Sequence, residues 1–150
     1  NIRTFLSIKF PGQKEGYRSD KLVSLIDLFP LIVDHFDYNY TDFNHPELFK
    51  NIHDIFTGDK THDFVLGERM RERMVLKDGI KYIDHIKSDG YEIYNLTADP
   101  DEQVNIKNNI SDQRKNNLRY ILNRYLDRKP ADQYCPSNFR YVNTTGYFPV

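Results

Sequence analysis

A short strand pattern that runs directly into an acidic turn, at residues 91–105, constrains the fold of this chain more than any other stretch. Its first part, Tyr-Glu-Ile-Tyr-Asn-Leu, alternates between two faces, as side chains do in a β-strand. Asp99 then precedes a proline, an aspartate and a glutamate, which is the composition of a capped helical turn. The pattern predicts a strand at 91–96 followed by a turn that Asp99 caps, with its polar residues used for turn formation.

Three further strands can be drawn upstream of this one. Residues 64–68, 73–76 and 81–84 are rich in apolar side chains, and charged or glycine-containing turns separate them. Asp78-Gly79 is a strong signal for a two-residue β-hairpin. Together with the strand above, these segments predict a four-stranded antiparallel sheet.

A long amphipathic helix is expected after the sheet. Ser111 can cap its first turn, and Pro130 ends it. Apolar residues between these points recur at steps of three and four, which places them on one face of a helix. They are Leu118, Ile121, Leu122, Tyr125 and Leu126. The other side, rich in arginine and asparagine, is left for solvent.

A second strand-and-helix pattern lies at the start of the chain. Residues 5–10 are mostly apolar and predict a strand, which a proline-glycine pair ends. Asp27 is a natural N-cap for a helix over 28–36, where apolar residues cover most of the circumference and predict deep packing. We interpret Asp27 as a cap, and a functional carboxylate is the less favoured interpretation.

Composition argues against several classes of function. With 21 basic and 22 acidic residues, the chain gives no electrostatic reason to expect nucleic acid or an anionic membrane as a partner. No apolar run approaches the roughly 20 residues that a membrane-spanning helix needs. Cys135 is the single cysteine, so neither an internal disulfide nor a cysteine metal cluster can form. The spacings of His45, His53 and His62 fit no familiar ligand pattern, so we interpret them as solvated or core histidines.

Four stretches resemble patterns of the sulfatases, which belong to the alkaline phosphatase-like superfamily. Residues 91–105 are similar to E-L-Y-D-L-x-x-D-P-x-E-x-x-N, a signature of the C-terminal subdomain of these enzymes. Residues 2–12 and 22–30 resemble I-R-V-P-L-I-I-x-x-P-G and V-S-L-x-D-L-x-P-T in order and spacing. Residues 74–83 resemble x-x-V-R-x-G-x-x-K-Y-I, where a hairpin leads to a Lys-Tyr pair.

Departures from these patterns indicate a divergent member. Thr4-Phe5 stands where the family has Val-Pro, and Leu31 stands where it has threonine. Residues 135–140 contain the ingredients of the sulfatase nucleophile motif C-x-P-x-R, but the proline is one position early and the arginine one late. We therefore reject Cys135 as the nucleophile.

The resemblance implies an α/β fold, α+β within this segment, in four parts. Residues 1–37 would supply the last strand and helix of the alkaline phosphatase-like core domain, and 38–61 a variable connecting segment. Residues 62–128 would form a small four-stranded antiparallel sheet packed by a C-terminal helix. Residues 129–150 form an irregular aromatic tail, which we expect to pack on a neighbouring surface.

The resemblance also implies a function for the protein from which this segment comes. Sulfatases hydrolyse sulfate esters with a formylglycine nucleophile beside a calcium ion, and the residues of that site precede the matched region. The chain would then be the C-terminal segment of a sulfatase-like hydrolase, inactive alone. Its partners would be the N-terminal catalytic portion and, through it, a sulfate-ester substrate. By analogy the enzyme would be extracytoplasmic, that is periplasmic, lysosomal or secreted.

The charged run at 68–73 offers the candidate binding residues. Arginine suits sulfate because its planar fork donates paired hydrogen bonds to such oxygens. We favour the interpretation that glutamate and arginine pair across a hairpin and face solvent. Arg69 and Arg71 are kept as candidates for the rim of the substrate cleft.

Two other interpretations stay open. The chain could be the same part of a phosphodiesterase or a phosphonate monoester hydrolase, since these enzymes share the scaffold. It could also be an independent binding or structural module that has lost catalysis. An exposed apolar face on the first strand and helix would argue against such independence, because these faces seldom stay open to water.

Overall fold

The computed structural model describes residues 6–16, 18–36, 48, 50, 52–58, 61–69, 71–88 and 90–126. In chain order its elements are a 3-10 turn at Leu25–Asp27, α1 (Leu28–His35), α2 (Ile52–Thr57), β1 (Val65–Arg69), β2 (Glu72–Lys77), β3 (Ile80–His85), β4 (Tyr91–Asn95) and α3 (Asp112–Tyr125). No helix in these ranges is long and apolar enough to cross a membrane.

The four strands form one antiparallel sheet in the order β1-β2-β3-β4. Each strand pairs with the next one along the chain, so that Val65 lies opposite Leu76 and Ile80 lies opposite Asn95. Short turns are enough for this topology, because antiparallel neighbours need no crossover connection. The predicted four-stranded antiparallel sheet is confirmed.

The turn between β2 and β3 is the predicted two-residue hairpin. Asp78 and Gly79 have φ values of 50° and 73°, as a type I′ turn requires at both central positions. Gly79 is needed for a second reason, since a Cβ atom there would lie 2.3 Å from Oγ1 of Thr97. Backbone conformation and close packing therefore select the same residue.

Helix α3 covers one face of the sheet, as expected. The hydroxyl oxygen of Ser111 accepts a hydrogen bond from the backbone N–H of Arg114 at 3.3 Å, so the predicted cap is confirmed. The sheet and the helix share a core made of Val75, Ile80, Tyr82, Ile93, Leu118, Ile121 and Leu122. The helix ends at Tyr125, and Pro130 lies outside the described ranges.

Arg73 is a buried arginine at the junction of the sheet and α3, only 2% exposed. Its Nε donates to Oδ2 of Asp84 on β3 at 2.8 Å. Nη2 donates to Oδ1 of Asn123 at 2.6 Å, and Nη1 donates to the backbone carbonyl of Leu126. The expectation that the whole charged run faces solvent is wrong for Arg73. It lies two residues before the core residue Val75 and so points to the same face of the sheet.

The start of the chain departs from the expected strand. Residues 6–10 form no strand in the structure, because a strand needs a hydrogen-bonded neighbour and none of the described segments supplies one. The proline-glycine turn is present. The N–H of Gln13 donates to the carbonyl of Phe10 at 3.1 Å, and Gly12 has a φ of 75°.

The helix predicted over 28–36 forms as α1, but its deep packing does not. Pro30 and Val33 are its buried residues, whereas Phe29, Ile32 and Phe36 are 39%, 54% and 72% exposed. The described part of the chain has too few elements to cover both sides of this helix. The domain boundaries near residues 37, 61 and 128 stay predictions.

Replacing Gly79 by alanine should lower the free energy of unfolding by roughly 1–3 kcal/mol, because the left-handed backbone is strained for alanine and its Cβ meets Thr97. Gly16→Ala is the matched control, since no atom lies within 4 Å of a Cβ at that position. Urea denaturation followed by circular dichroism measures both. If the two substitutions lowered stability equally, the prediction that the hairpin requires glycine at position 79 would be wrong.

Replacing Arg73 by leucine should cost roughly 3–5 kcal/mol of stability, because the buried Asp84 carboxylate loses its guanidinium. Arg69→Leu, an exposed site on the same hairpin, should change stability by less than about 0.5 kcal/mol. The double variant Arg73→Leu with Asp84→Leu should recover part of the loss. If Arg73→Leu and Arg69→Leu had similar denaturation midpoints, Arg73 would not be what joins the sheet to the helix.

Candidate functional site

The buried carboxylate of Asp27 joins three segments of the chain. It is fully buried, and it accepts hydrogen bonds from the backbone N–H groups of Ser24 at 2.7 Å and Lys50 at 3.1 Å. Nε2 of His62 lies 2.9 Å from one carboxylate oxygen and 2.8 Å from the other. A buried carboxylate is costly unless it is paired and hydrogen-bonded, and these three contacts meet that need.

This geometry corrects the role predicted for Asp27. Its side chain makes no cap hydrogen bond to α1, and its backbone already has helical angles, with φ −70° and ψ −15°. A capping residue has an extended backbone that lets its side chain reach the amides ahead of it. The carboxylate instead turns back to Ser24 and across to His62.

His62 is a buried histidine, as one of the two predicted alternatives has it. Its contact with Asp27 could not be read from the sequence, because the two residues are 35 positions apart and belong to no common motif. His45 lies outside the described residues, as do Cys135 and the side chain of His53. Among the described residues, no group of three or more His, Cys, Asp or Glu side chains could hold a metal ion.

An open hollow of about 450 Å³ lies beside His62. It is lined by Leu22, Thr61, His62, Asp63, Leu76, Asp78, Gly79, Leu96 and Thr97. These residues come from the N-terminal segment, the residues before β1, the end of β2 with the β2–β3 turn, and the turn after β4. The hollow thus lies where the first part of the chain meets the sheet.

The polar residues of the 91–105 signature form a turn. The N–H of Glu102 donates to the carbonyl of Asp99 at 3.2 Å, which makes a β-turn in place of the predicted helical turn. The carboxylate of Asp99 accepts from the N–H of Val104 at 2.7 Å, and this bond with others from nearby amides lowers the pKa of Asp99. The Asn105 side chain accepts from the N–H of Ile93 at 3.2 Å. Turn formation explains both side chains.

A buried ion pair connects two of the stretches that resemble sulfatase patterns. Nζ of Lys81 lies 2.5 Å from Oε2 of Glu102, and the two side chains are 4% and 14% exposed. Lys81 belongs to the Lys-Tyr-Ile stretch, and Glu102 follows the Asp-Pro turn with a φ of 58°. A left-handed backbone is uncommon for glutamate. Glu102 has this backbone conformation while its side chain accepts a hydrogen bond from Lys81.

A hydrogen-bonded chain of polar residues lies on the sheet face away from α3. The hydroxyl of Tyr94 donates to Glu92 at 2.7 Å, Nε2 of His85 lies 3.2 Å from the same carboxylate, and Nδ1 of His85 lies 3.5 Å from Glu72. The Tyr94 hydrogen bond lowers the pKa of Glu92. The same bond raises the pKa of Tyr94 to about 12.

Arg69 and Arg71 are both exposed at the β1–β2 turn. Glu72 lies opposite Arg69 in the strand register, as expected for glutamate and arginine facing each other across a hairpin. The β1–β2 turn lies at one end of β2 and the hollow lies at the other end. Because β2 has six residues, these two ends are about 20 Å apart. The structure therefore does not bring the two arginines together with Asp27 and His62.

Comparison with known proteins gives matches among solved structures. No family model and no curated protein matches this chain. It is similar to a crystal structure assigned as a sulfatase from Bacteroides thetaiotaomicron VPI-5482, with 22% identity, a TM-score of 0.47, and coverage of 73% of this chain and 26% of that chain. It is also similar to a 2-O GAG sulfatase, with 22% identity, a TM-score of 0.42 and the same coverages. The chain thus spans about a quarter of the length of each.

The stability of the fold should fall as the pH rises from about 10 to about 12. The pKa of Tyr94 is raised from 10.0 to about 12 in the folded chain, so the folded state binds more protons in this window and unfolding becomes easier as they are lost. Tyr94→Phe should remove this component, and Tyr120→Phe, at an exposed tyrosine, serves as control. The denaturation midpoint of each chain is measured across this pH range. If the midpoints of Tyr94→Phe and of the parent chain fell in parallel, the assignment to Tyr94 would be wrong.

Proposed function

We propose that this chain is the C-terminal segment of a sulfatase-like hydrolase that cleaves sulfate esters. Its role is to complete the core of the enzyme and to wall one side of the substrate cleft. The stretches that resemble sulfatase patterns support the family, and the Lys81–Glu102 ion pair joins two of them in the folded chain. An apolar surface on α1 supports the proposal that this segment packs against a larger part of the same protein.

That surface, here called the α1 stripe, consists of Leu25, Phe29, Ile32 and Phe36. The four residues follow at steps of four, three and four, so they lie along one side of a helix. Leu25 is 63% exposed, and Ile26 beside it is 42% exposed. Pro30 and Val33, which lie next to this stripe on the helix, are buried, and α1 packs against α2. The apolar surface of α1 is therefore wide, and the described part of the chain covers only the part that contains Pro30 and Val33.

Helices with a wide apolar surface are buried in larger cores, and soluble domains seldom expose contiguous apolar surface of this kind. The α1 stripe thus argues against an independent module and favours a partner with a broad apolar face. The N-terminal catalytic portion of the same polypeptide is the partner that the sequence resemblance implies. The stripe is the observation that carries this proposal.

In this proposal the N-terminal catalytic portion of the same polypeptide carries out catalysis. The described residues do not fit a calcium site, since they contain no suitable cluster of three or more His, Cys, Asp or Glu. Formylglycine and calcium would supply the nucleophile and the charge stabilisation upstream of this segment. The segment alone is therefore proposed to be inactive, with Arg69 and Arg71 as candidates to bind the charged group of the substrate at the cleft rim.

The test compares one substitution in two contexts. In the native gene product, whose intact mass should exceed the 17.9 kDa of this chain, Ile32→Glu should lower stability by several kcal/mol, because it buries an unpaired charge. In the isolated chain the same change should be nearly neutral, because Ile32 is open to water there. Asn116→Glu, on the exposed side of α3, is the control in both.

Activity assays separate the remaining alternatives. The native product should hydrolyse p-nitrophenyl sulfate, and the isolated chain should not. Preferred hydrolysis of p-nitrophenyl phosphate diesters would instead support the phosphodiesterase alternative. A native product of 17.9 kDa that tolerates Ile32→Glu would overturn the proposal in favour of an independent module.

A further inference from the structure

The motif Asn-X-Ser/Thr, with any residue except proline in the middle, is the acceptor of N-linked glycans and is used on surface loops. It occurs four times in this chain, at Asn39, Asn95, Asn109 and Asn143. The first and the last of these lie outside the described residues. Because so short a motif also arises by chance, the structural setting of each copy decides whether it suits a glycan.

Asn109 lies at the surface in the connection between β4 and α3. Asn109 and Ser111 are both exposed, and Ile110 between them is half-buried and packs against the core of the sheet and α3. The backbone is held in place here, since the N–H of Asn109 donates to the carbonyl of Ile106 at 2.8 Å. An anchored middle residue therefore leaves the asparagine and the serine of the motif in contact with solvent.

Asn95 has the same motif in a different setting. It is the last residue of β4 and lies two positions after the core residue Ile93, so it points to the same face of the sheet. It is half-buried, and its side-chain oxygen accepts hydrogen bonds from the N–H groups of Thr97 at 3.1 Å and Ala98 at 3.4 Å. The hydroxyl of Thr97, the third residue of the motif, lies close against Gly79. A bulky group on the same amide would crowd this turn, so the fold disfavours a glycan at Asn95.

We propose that Asn109 is a modification site that accepts an N-linked glycan when the chain passes an oligosaccharyltransferase, and that Asn95 is not. The donor is an oligosaccharide whose first sugar is joined to a lipid pyrophosphate. Nδ2 of Asn109 forms a bond to C1 of that sugar and gives up one proton. The bond between C1 and the pyrophosphate oxygen breaks, and the lipid pyrophosphate leaves with its electron pair.

Ser111 has two roles at this site, and substitutions separate them. Its hydroxyl caps α3 by accepting a hydrogen bond from the N–H of Arg114 at 3.3 Å, and it is also the third residue of the motif. Aspartate is as good an N-cap as serine, but it does not complete the motif. Ser111→Asp should therefore keep the helix and lose the glycan, whereas Ser111→Thr should keep both.

A glycan at Asn109 also has a consequence for the whole protein. N-linked glycans are bulky and solubilising, so the connection before α3 must face water in the complete polypeptide. This part of the surface would then be one that the N-terminal catalytic portion leaves open, in contrast to the α1 stripe.

The experiment is expression of the native gene product, behind a signal peptide, in a mammalian cell line that contains the transferase. Cells and medium are both analysed, so that retention of the protein does not hide the result. Peptide N-glycosidase F removes the glycan and converts the modified asparagine to aspartate, which mass spectrometry of peptides assigns to one residue. Asn109 should be modified in most molecules and Asn95 in only a small minority. Glycans at Asn39 and Asn143 are assigned separately by the same measurement.

Substitutions then test the site in the same cells. Asn109→Gln and Ser111→Asp should each remove the mass of one glycan from the intact protein. Ser111→Thr should leave that mass in place, and so should Asn116→Gln, at an exposed asparagine outside any such motif. Circular dichroism of the Ser111→Asp protein checks that the helix is kept. Asn109→Gln, which leaves the cap untouched, gives the answer if the helix is lost.

Other outcomes would overturn the inference. They are an unmodified Asn109, a glycan on Asn95 in as many molecules as on Asn109, and a glycan on Asn109 that survives Ser111→Asp. None of these results bears on the apolar packing of the α1 stripe or on hydrolysis of sulfate esters. Failure here and failure of the proposed function are therefore distinguishable.

Discussion

The guanidinium of Arg73 is the interaction on which the sheet and α3 both depend. It bonds to Asp84 on the neighbouring strand, to Asn123 within the helix and to the carbonyl of Leu126 at the helix end. Apolar packing alone would allow α3 to slide along the sheet, since hydrophobic contact is not directional. A charged fork with fixed donor geometry sets the position of the helix, and the core around Val75 and Leu118 forms beneath it.

Asp27 plays a similar part for the N-terminal half of the described chain. Its carboxylate connects the 3-10 turn, the backbone before α2 and His62 before β1. This joint connects the segment that leads into α1 with the segments before α2 and β1. One buried carboxylate thus holds together the parts of the chain that carry the surface we assign to a larger body.

Local patterns were sufficient for much of the fold and for little of the candidate site. The hairpin at Asp78-Gly79 and the cap at Ser111 depend on neighbours in sequence, so the order of strands and the start of α3 could be predicted. Arg73 and Asp27 could not be assigned correctly, because Asn123 lies 50 residues from Arg73 and His62 lies 35 residues from Asp27. Residues 6–10 of the strand expected at 5–10 form no strand for a related reason, since the apolar pattern gives a preference but cannot supply the neighbouring strand that pairing needs.

The period of each element and the turns between elements can be predicted from the amino acids alone, because they follow from side-chain alternation and from residues with restricted backbone angles. Which charges are buried and which apolar residues are exposed depends on how the folded elements pack. Burial is a property of the assembled surfaces rather than of any residue. Arg73 and Asp27 are therefore interior, and Ile32 and Phe36 are exposed, against the ordinary preference of each side chain.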